Sequence, residues 1–168
     1  LISQGTISII CGCHSMIHSV LVTVAWTRLY GLPTWKELAC IFLHDIGHVG
    51  YDYLDNYEQK KRHWQVGAEL AGFWFGPEYW SLTAGHCSHS GMPRSRLYYA
   101  DKLSWHLAPR WWLWMNTIFE PKLMIGFTSR MAAVDDFKTQ VAESVGNGWF
   151  RSTHDMYLER QARANGQG

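Results

Sequence analysis

The apolar run Leu38-Ala39-Cys40-Ile41-Phe42-Leu43 closes abruptly on His44-Asp45 and continues as Ile46-Gly47-His48, and no other stretch constrains the chain as tightly. A carboxylate that ends a core-forming run needs a compensating group, because burying an unpaired charge is costly. One answer is local: His44 and Asp45 hydrogen-bond to each other at a helix end. The other is a divalent cation, for which neutral imidazole and carboxylate are ordinary ligands. Taken alone the dipeptide favours the local answer, since short motifs recur by chance.

The surrounding pattern is helical. Ile10, Ile17, Val20, Leu21 and Val24 recur at helical spacing over about 7–30, which places His14 and His18 on one face. Gly31 and Pro33 end that helix, and Thr34-Trp35-Lys36-Glu37 is a capping-box pattern that starts a second one near Thr34, with His44 and Asp45 towards its end. Gly47 and Gly50 open a loop through 51–56. A third helix is expected over about 57–75, with Lys60-Lys61-Arg62 running into His63, and Gly76-Pro77 breaks it. A fourth over about 78–89 carries His86, and a fifth over about 94–107 carries Asp101. Pro109 and Pro121 bracket a short Trp-rich helix, and the polar tail 135–164 reads as two helical pieces split by Gly146-Asn147-Gly148. Nothing alternates with period two for long enough to form a sheet. The expected architecture is an all-α helical bundle, one domain over 1–168, with a motif core at about 13–105 and a helical extension at 106–168.

Composition narrows the class. At 168 residues and 47% hydrophobic the chain can bury a sizeable core, and a formal net charge of +1 gives no hint of a nucleic-acid surface, so no duplex partner is expected. Cys11, Cys13, Cys40 and Cys87 form no Cys-x-x-Cys pair, and they read as reduced thiols of a cytoplasmic protein. Two histidines interrupt the apolar stretch 7–26, so a buried helix is expected there and no transmembrane segment. The Trp-rich stretch 111–127 reads as core or protein interface ahead of the alternative, a segment resting on a membrane surface.

His18, His44-Asp45, His63, His86 and Asp101 thus stand in order on separate expected helices, mostly among apolar neighbours. Each alone reads as a satisfied core residue. Gathered without a metal, they would leave several buried polar atoms to satisfy, so a metal site is the better reading of the set.

In three blocks the chain resembles the HD-domain metalloprotein superfamily. His18-Ser19-Val20 with Ala25, Leu29 and Tyr30-Gly31 is similar to that family's first-helix motif, Leu43-His44-Asp45-Ile46-Gly47 to its signature, and Ala100-Asp101-Lys102-Leu103-Ser104 to its closing aspartate motif. His63 and His86 resemble the extra pair of the two-metal members. The resemblance implies one metal on His18, His44, Asp45 and Asp101, a second on His63 and His86, and Asp45 with a hydroxide bridging both. Fe or Mn is the expected metal, with Zn, Ni or Co also compatible, because imidazole and carboxylate suit transition metals. His48 stands where many members carry lysine and is a candidate proton donor, phosphate contact or supporting residue. His14 and His89 are further candidates for support or substrate contact, and His14 for a third metal. Where members acting on cyclic dinucleotides carry Gly-Tyr-Pro, this chain has Ser90-Gly91-Met92-Pro93. His154-Asp155, in polar surroundings, reads as a surface coincidence.

The implied activity is metal-dependent hydrolysis of a nucleotide or other phosphate ester. Asp45 and His48 are the catalytic candidates, and Lys60, Lys61, Arg62, Arg94, Arg96 and Lys102 possible phosphate contacts. Small hydrolases of symmetrical dinucleoside tetraphosphates are similar in length and motif layout. The alternative is a di-iron oxygenase of the same superfamily, which cleaves a carbon bond with O₂ on the same ligand set. A non-catalytic metal-binding regulator is the third expectation, and the intact ligand set weighs against it.

Overall fold

The computed structural model describes residues 2–51 and 57–146, and every regular element among them is helical. The helices are α1 (Gln4–Cys11), α2 (Met16–Tyr30), α3 (Trp35–Leu43), α4 (Tyr57–Arg62), α5 (Trp64–Phe75), α6 (Pro77–Ala84), α7 (Arg96–Leu107), α8 (Arg110–Phe119) and α9 (Arg130–Gly146). Short 3-10 turns follow α3, α6 and α8 at Ile46–His48, Ser88–Ser90 and Pro121–Met124. The all-α expectation holds. The second expected tail helix and His154-Asp155 lie outside the described residues.

The capping box forms as the sequence requires. Glu37 N–H donates to Thr34 Oγ1 at 3.3 Å, and Thr34 N–H donates to Glu37 Oε2 at 2.8 Å. The other Glu37 oxygen accepts from Arg96 at 2.6 Å, which ties the start of α3 to the start of α7. Arg96 is therefore a fold contact.

Two expected helices are each divided. The helix expected over 7–30 breaks at Gly12–Ser15 into α1 and α2, bent by 59°. Gly12 is the reason: its backbone lies where a Cβ would overlap a carboxylate oxygen of Glu120, so the chain bends around a buried acid. His14 consequently sits in the connection, and does not share a helix face with His18. The helix expected over 57–75 is divided at His63 into α4 and α5.

The buried face of α2 also differs from the stripe that periodicity picks out. Ile17, Val20 and Val24 are exposed, whereas Val22, Ala25 and Trp26 pack with Ile41 of α3 and Leu97 and Ala100 of α7. Helix α2 is apolar nearly all round, so spacing alone could not choose its face. A second cluster joins Cys13 and Trp105 to Trp112 and Leu113 of α8 and to Val134 and Val141 of α9. The helices beyond 106 thus pack on the part that carries the motifs. All four cysteines are free.

Close backbone crossings complete the frame. A Cβ on Gly47 would overlap the His63 carbonyl oxygen, and one on Gly67 that of Leu43. These glycines let α5 cross the end of α3 at backbone distance and bring His63 beside Asp45. Among the described residues no single helix is long and apolar enough to cross a membrane; α1 and α2 reach that length and composition only as the bent pair.

Candidate metal centre

Asp45 follows the last turn of α3, with φ −100° and ψ 1°, and its carboxylate is the centre of the site. Oδ2 lies 2.9 Å from His44 Nε2 and 3.4 Å from His18 Nε2. Oδ1 lies 3.6 Å from His86 Nε2, 3.7 Å from His63 Nε2 and 3.9 Å from His48 Nε2. Asp101 Oδ1 lies 3.1 Å from His18 Nε2. The two oxygens of one carboxylate therefore face two different sets of imidazoles.

Local structure explains why so many Nε2 atoms converge. His44, His63 and His86 each follow the last turn of a helix, where carbonyls have no intrahelical partner. Each ring uses the carbonyl three residues back: Nδ1–H donates to Ile41 O, Lys60 O and Thr83 O respectively, each at 2.6 Å. A carbonyl only accepts, so Nδ1 keeps its proton, and wherever the ring is neutral the Nε2 lone pair faces the site. His18 is held differently. Ser104 Oγ donates to Asp101 O at 2.6 Å and lies 3.4 Å from His18 Nδ1, while Trp105 stacks on the imidazole at 4.7 Å between centroids.

This donor set fits a metal. His63 Nε2 and His86 Nε2 stand 3.1 Å apart. With both Nδ1 protons committed to carbonyls, two bare lone pairs face one another, and a cation between them removes the repulsion. His18 Nε2 and His44 Nε2 are buried without an aligned hydrogen-bond partner, despite the short distances to carboxylate oxygens. Among the described residues three groups have ligand atoms mutually within 4.8 Å: His18-His44-Asp45, Asp45-His63-His86 and His14-Asp45-His48.

The electrostatics agree with this use at His63 and His14, whereas His44 without a cation shares a proton with Asp45. Burial works against the Asp45 charge, but His44 and the other imidazoles hold its carboxyl well below the usual range. Asp101 is likewise buried and is held well below that range by Lys102 at 2.6 Å. Burial pulls His44 down, but Asp45 outweighs it and raises the imidazole to about 9. Burial, then the neighbouring His86, lowers His63 to about 3, and burial lowers His14 to about 4. His63 and His14 are thus neutral donors near pH 7.

The six expected ligands all meet here, and His48 joins them. His14 reaches the same place from the α1–α2 connection, its ring centroid 4.2 Å from that of His48. A pocket opens over the cluster, lined among others by Lys60, Lys102, His89, Tyr98 and Trp105. The basic candidates divide. Lys60 lines the pocket, Lys102 lines it while paired with Asp101, Lys61 turns to Glu58 at 2.7 Å, and Arg62 is exposed. Arg94 stacks over Tyr98 at 4.6 Å. Two residues escaped the sequence reading, Ser8 and Glu120. Glu120 carried a usable signal, an acid between the apolar pair Ile118-Phe119 and Pro121.

No protein-family model matches the chain, and neither a curated protein nor a solved structure matches it. What fold and site define is an all-α protein with a buried His/Asp cluster that can hold a metal ion.

The division of the carboxylate makes one outcome specific. His63→Ala or His86→Ala should each lower the metal content by one ion per chain and leave the far-UV circular dichroism unchanged. A variant that keeps its full complement by elemental analysis would make this pair structural.

Proposed function

We propose that the chain is a metal-dependent phosphohydrolase of the HD-domain kind, acting on a nucleotide or another phosphate ester. The observation that carries the reading is Asp45, whose Oδ2 faces His18 and His44 while Oδ1 faces His63 and His86. On this reading His18, His44, Asp45 and Asp101 hold one cation, and His63, His86 and Asp45 hold a second. Bound transition-metal cations, Fe or Mn foremost, supply Lewis acidity and a nucleophilic water at neutral pH. The protein's own residues supply the rest. Three helix-end carbonyls and Ser104 keep the imidazoles in the donor tautomer, and Trp105 holds His18 against the cluster.

The pocket chemistry supports an anionic substrate. Lys60 lines it, and its ammonium is lowered by burial and by Lys102 to about 8, which leaves it mainly charged at pH 7. Lys102 is the weaker phosphate contact, since Asp101 engages it directly. His48, with Nε2 3.9 Å from Asp45 Oδ1, lies too far into the cluster to be a separate surface group.

The test separates hydrolysis from oxygen chemistry on the same ligands. The protein is stripped, reloaded anaerobically with Mn or Fe, and offered nucleotides and phosphate esters. Release of phosphate or nucleotide with Mn, without oxygen, is the expected result. Oxygen uptake coupled to substrate loss, with iron alone, would replace this reading by the di-iron oxygenase.

A further inference from the structure

The two-cation reading leaves His14, Ser8 and Glu120 without a part, although they form one continuous buried chain of contacts. Glu120 is 1% exposed, and its Oε1 accepts the Cys13 backbone N–H at 2.7 Å and the Ser8 hydroxyl at 2.6 Å. Ser8 Oγ also lies 2.7 Å from His14 Nδ1. A serine hydroxyl has one proton, and here it goes to the carboxylate. His14 Nδ1 must therefore be the donor to Ser8 Oγ, which leaves its lone pair on Nε2. His44, His63 and His86 have their Nδ1 atoms fixed in the same sense by carbonyls. The chain is built into the fold at a second point: Gly12 leaves the room that the Glu120 carboxylate occupies, where a Cβ would overlap it.

Resting on the proposed two-cation reading, we infer that His14, His48 and Asp45 form a third divalent-cation position, with Glu120 acting through Ser8 as the positioning residue for His14. One ligand atom from each of the three lies within 4.8 Å of the other two. All three residues line the pocket, as does Lys60. Three protein ligands leave open positions for substrate oxygens. The position is thus suited to a substrate with more than one anionic oxygen, held against this cation and Lys60 together.

Metal stoichiometry tests this directly. Chelator-stripped protein is titrated with Mn(II), with free ion followed by electron paramagnetic resonance and bound ion by elemental analysis. Wild type should bind three ions per chain and His14→Gln two. Ser8→Ala, a small change in a buried site, should weaken the last ion by roughly 10–100-fold, the usual cost of losing a residue that orients a ligand, with the other two unaffected. Ser8→Thr, which restores a hydroxyl, should recover it. Saturation of wild type at two ions would overturn the third position and leave the two-cation reading intact. Saturation at one or none would overturn both. Three ions with unchanged affinity in Ser8→Ala would overturn the role given to Glu120 and Ser8, and this variant decides even if His14→Gln fails to fold.

Discussion

Asp45→Ala should abolish metal binding altogether, whereas loss of any single histidine should remove one ion at most. Five imidazole Nε2 atoms lie 2.9–3.9 Å from its two oxygens, so no cation position in the cluster is complete without it. The drop in affinity should exceed the roughly 10–100-fold cost of losing a residue that only orients a ligand. The helices should persist. Asp45 lies just beyond His44, the C-cap of α3, and His44, whose raised affinity for a proton depends on Asp45, can go neutral once the carboxylate is gone. Asp135→Ala is the control, since that carboxylate pairs with Arg110 on the surface, 2.8 Å away. Elemental analysis after gel filtration reads both variants. Equal metal retention in the two would remove Asp45 from the centre of the site.

Among the glycines of the described residues, Gly47→Ala should be the most damaging change. The added Cβ would meet the His63 carbonyl oxygen, a backbone atom with no side-chain freedom to yield. Relief requires α5 to move off α3, and His63 moves with it. Overpacking of this kind typically costs about 1–3 kcal/mol, and a rigid backbone contact belongs at the upper end. For a domain of this size that is about 5–10 °C in Tm. The variant should also lose the ion held by His63 and His86. Gly146→Ala, at the end of α9 where an added Cβ meets nothing within 4 Å, should leave Tm and metal content unchanged. A Gly47→Ala protein as stable as wild type, with its full metal content, would mean the crossing of α3 and α5 is looser than the backbone contact implies.

These two residues sit two apart in the sequence and illustrate different kinds of information. That Asp45 needed a partner was legible from the apolar run ahead of it. That Gly47 is where another helix crosses was not, because its neighbour His63 is 16 positions further on. The same contrast runs through the site. His44 and His86 stand near expected helix ends, whereas His63 was expected inside a helix that the structure divides there; the Nδ1 partner of each is a carbonyl three residues back. His14 was expected on one face with His18, and it instead lies in a bend that Gly12 and Glu120 create.

By itself, then, the sequence determined the helical class, the capping box at Thr34, the helix-ending His-Asp pair and six candidate ligands, because each depends on chemistry within a few residues. Tertiary structure decided the rest. It selected Val22, Ala25 and Trp26 as the buried side of a helix apolar nearly all round, which required α3 and α7 to be in place. It also brought Glu120 to Ser8 across 112 residues. Hydrogen-bonding demand marks a residue as needing a partner, but only the packing of helices distant in the chain determines which one it meets.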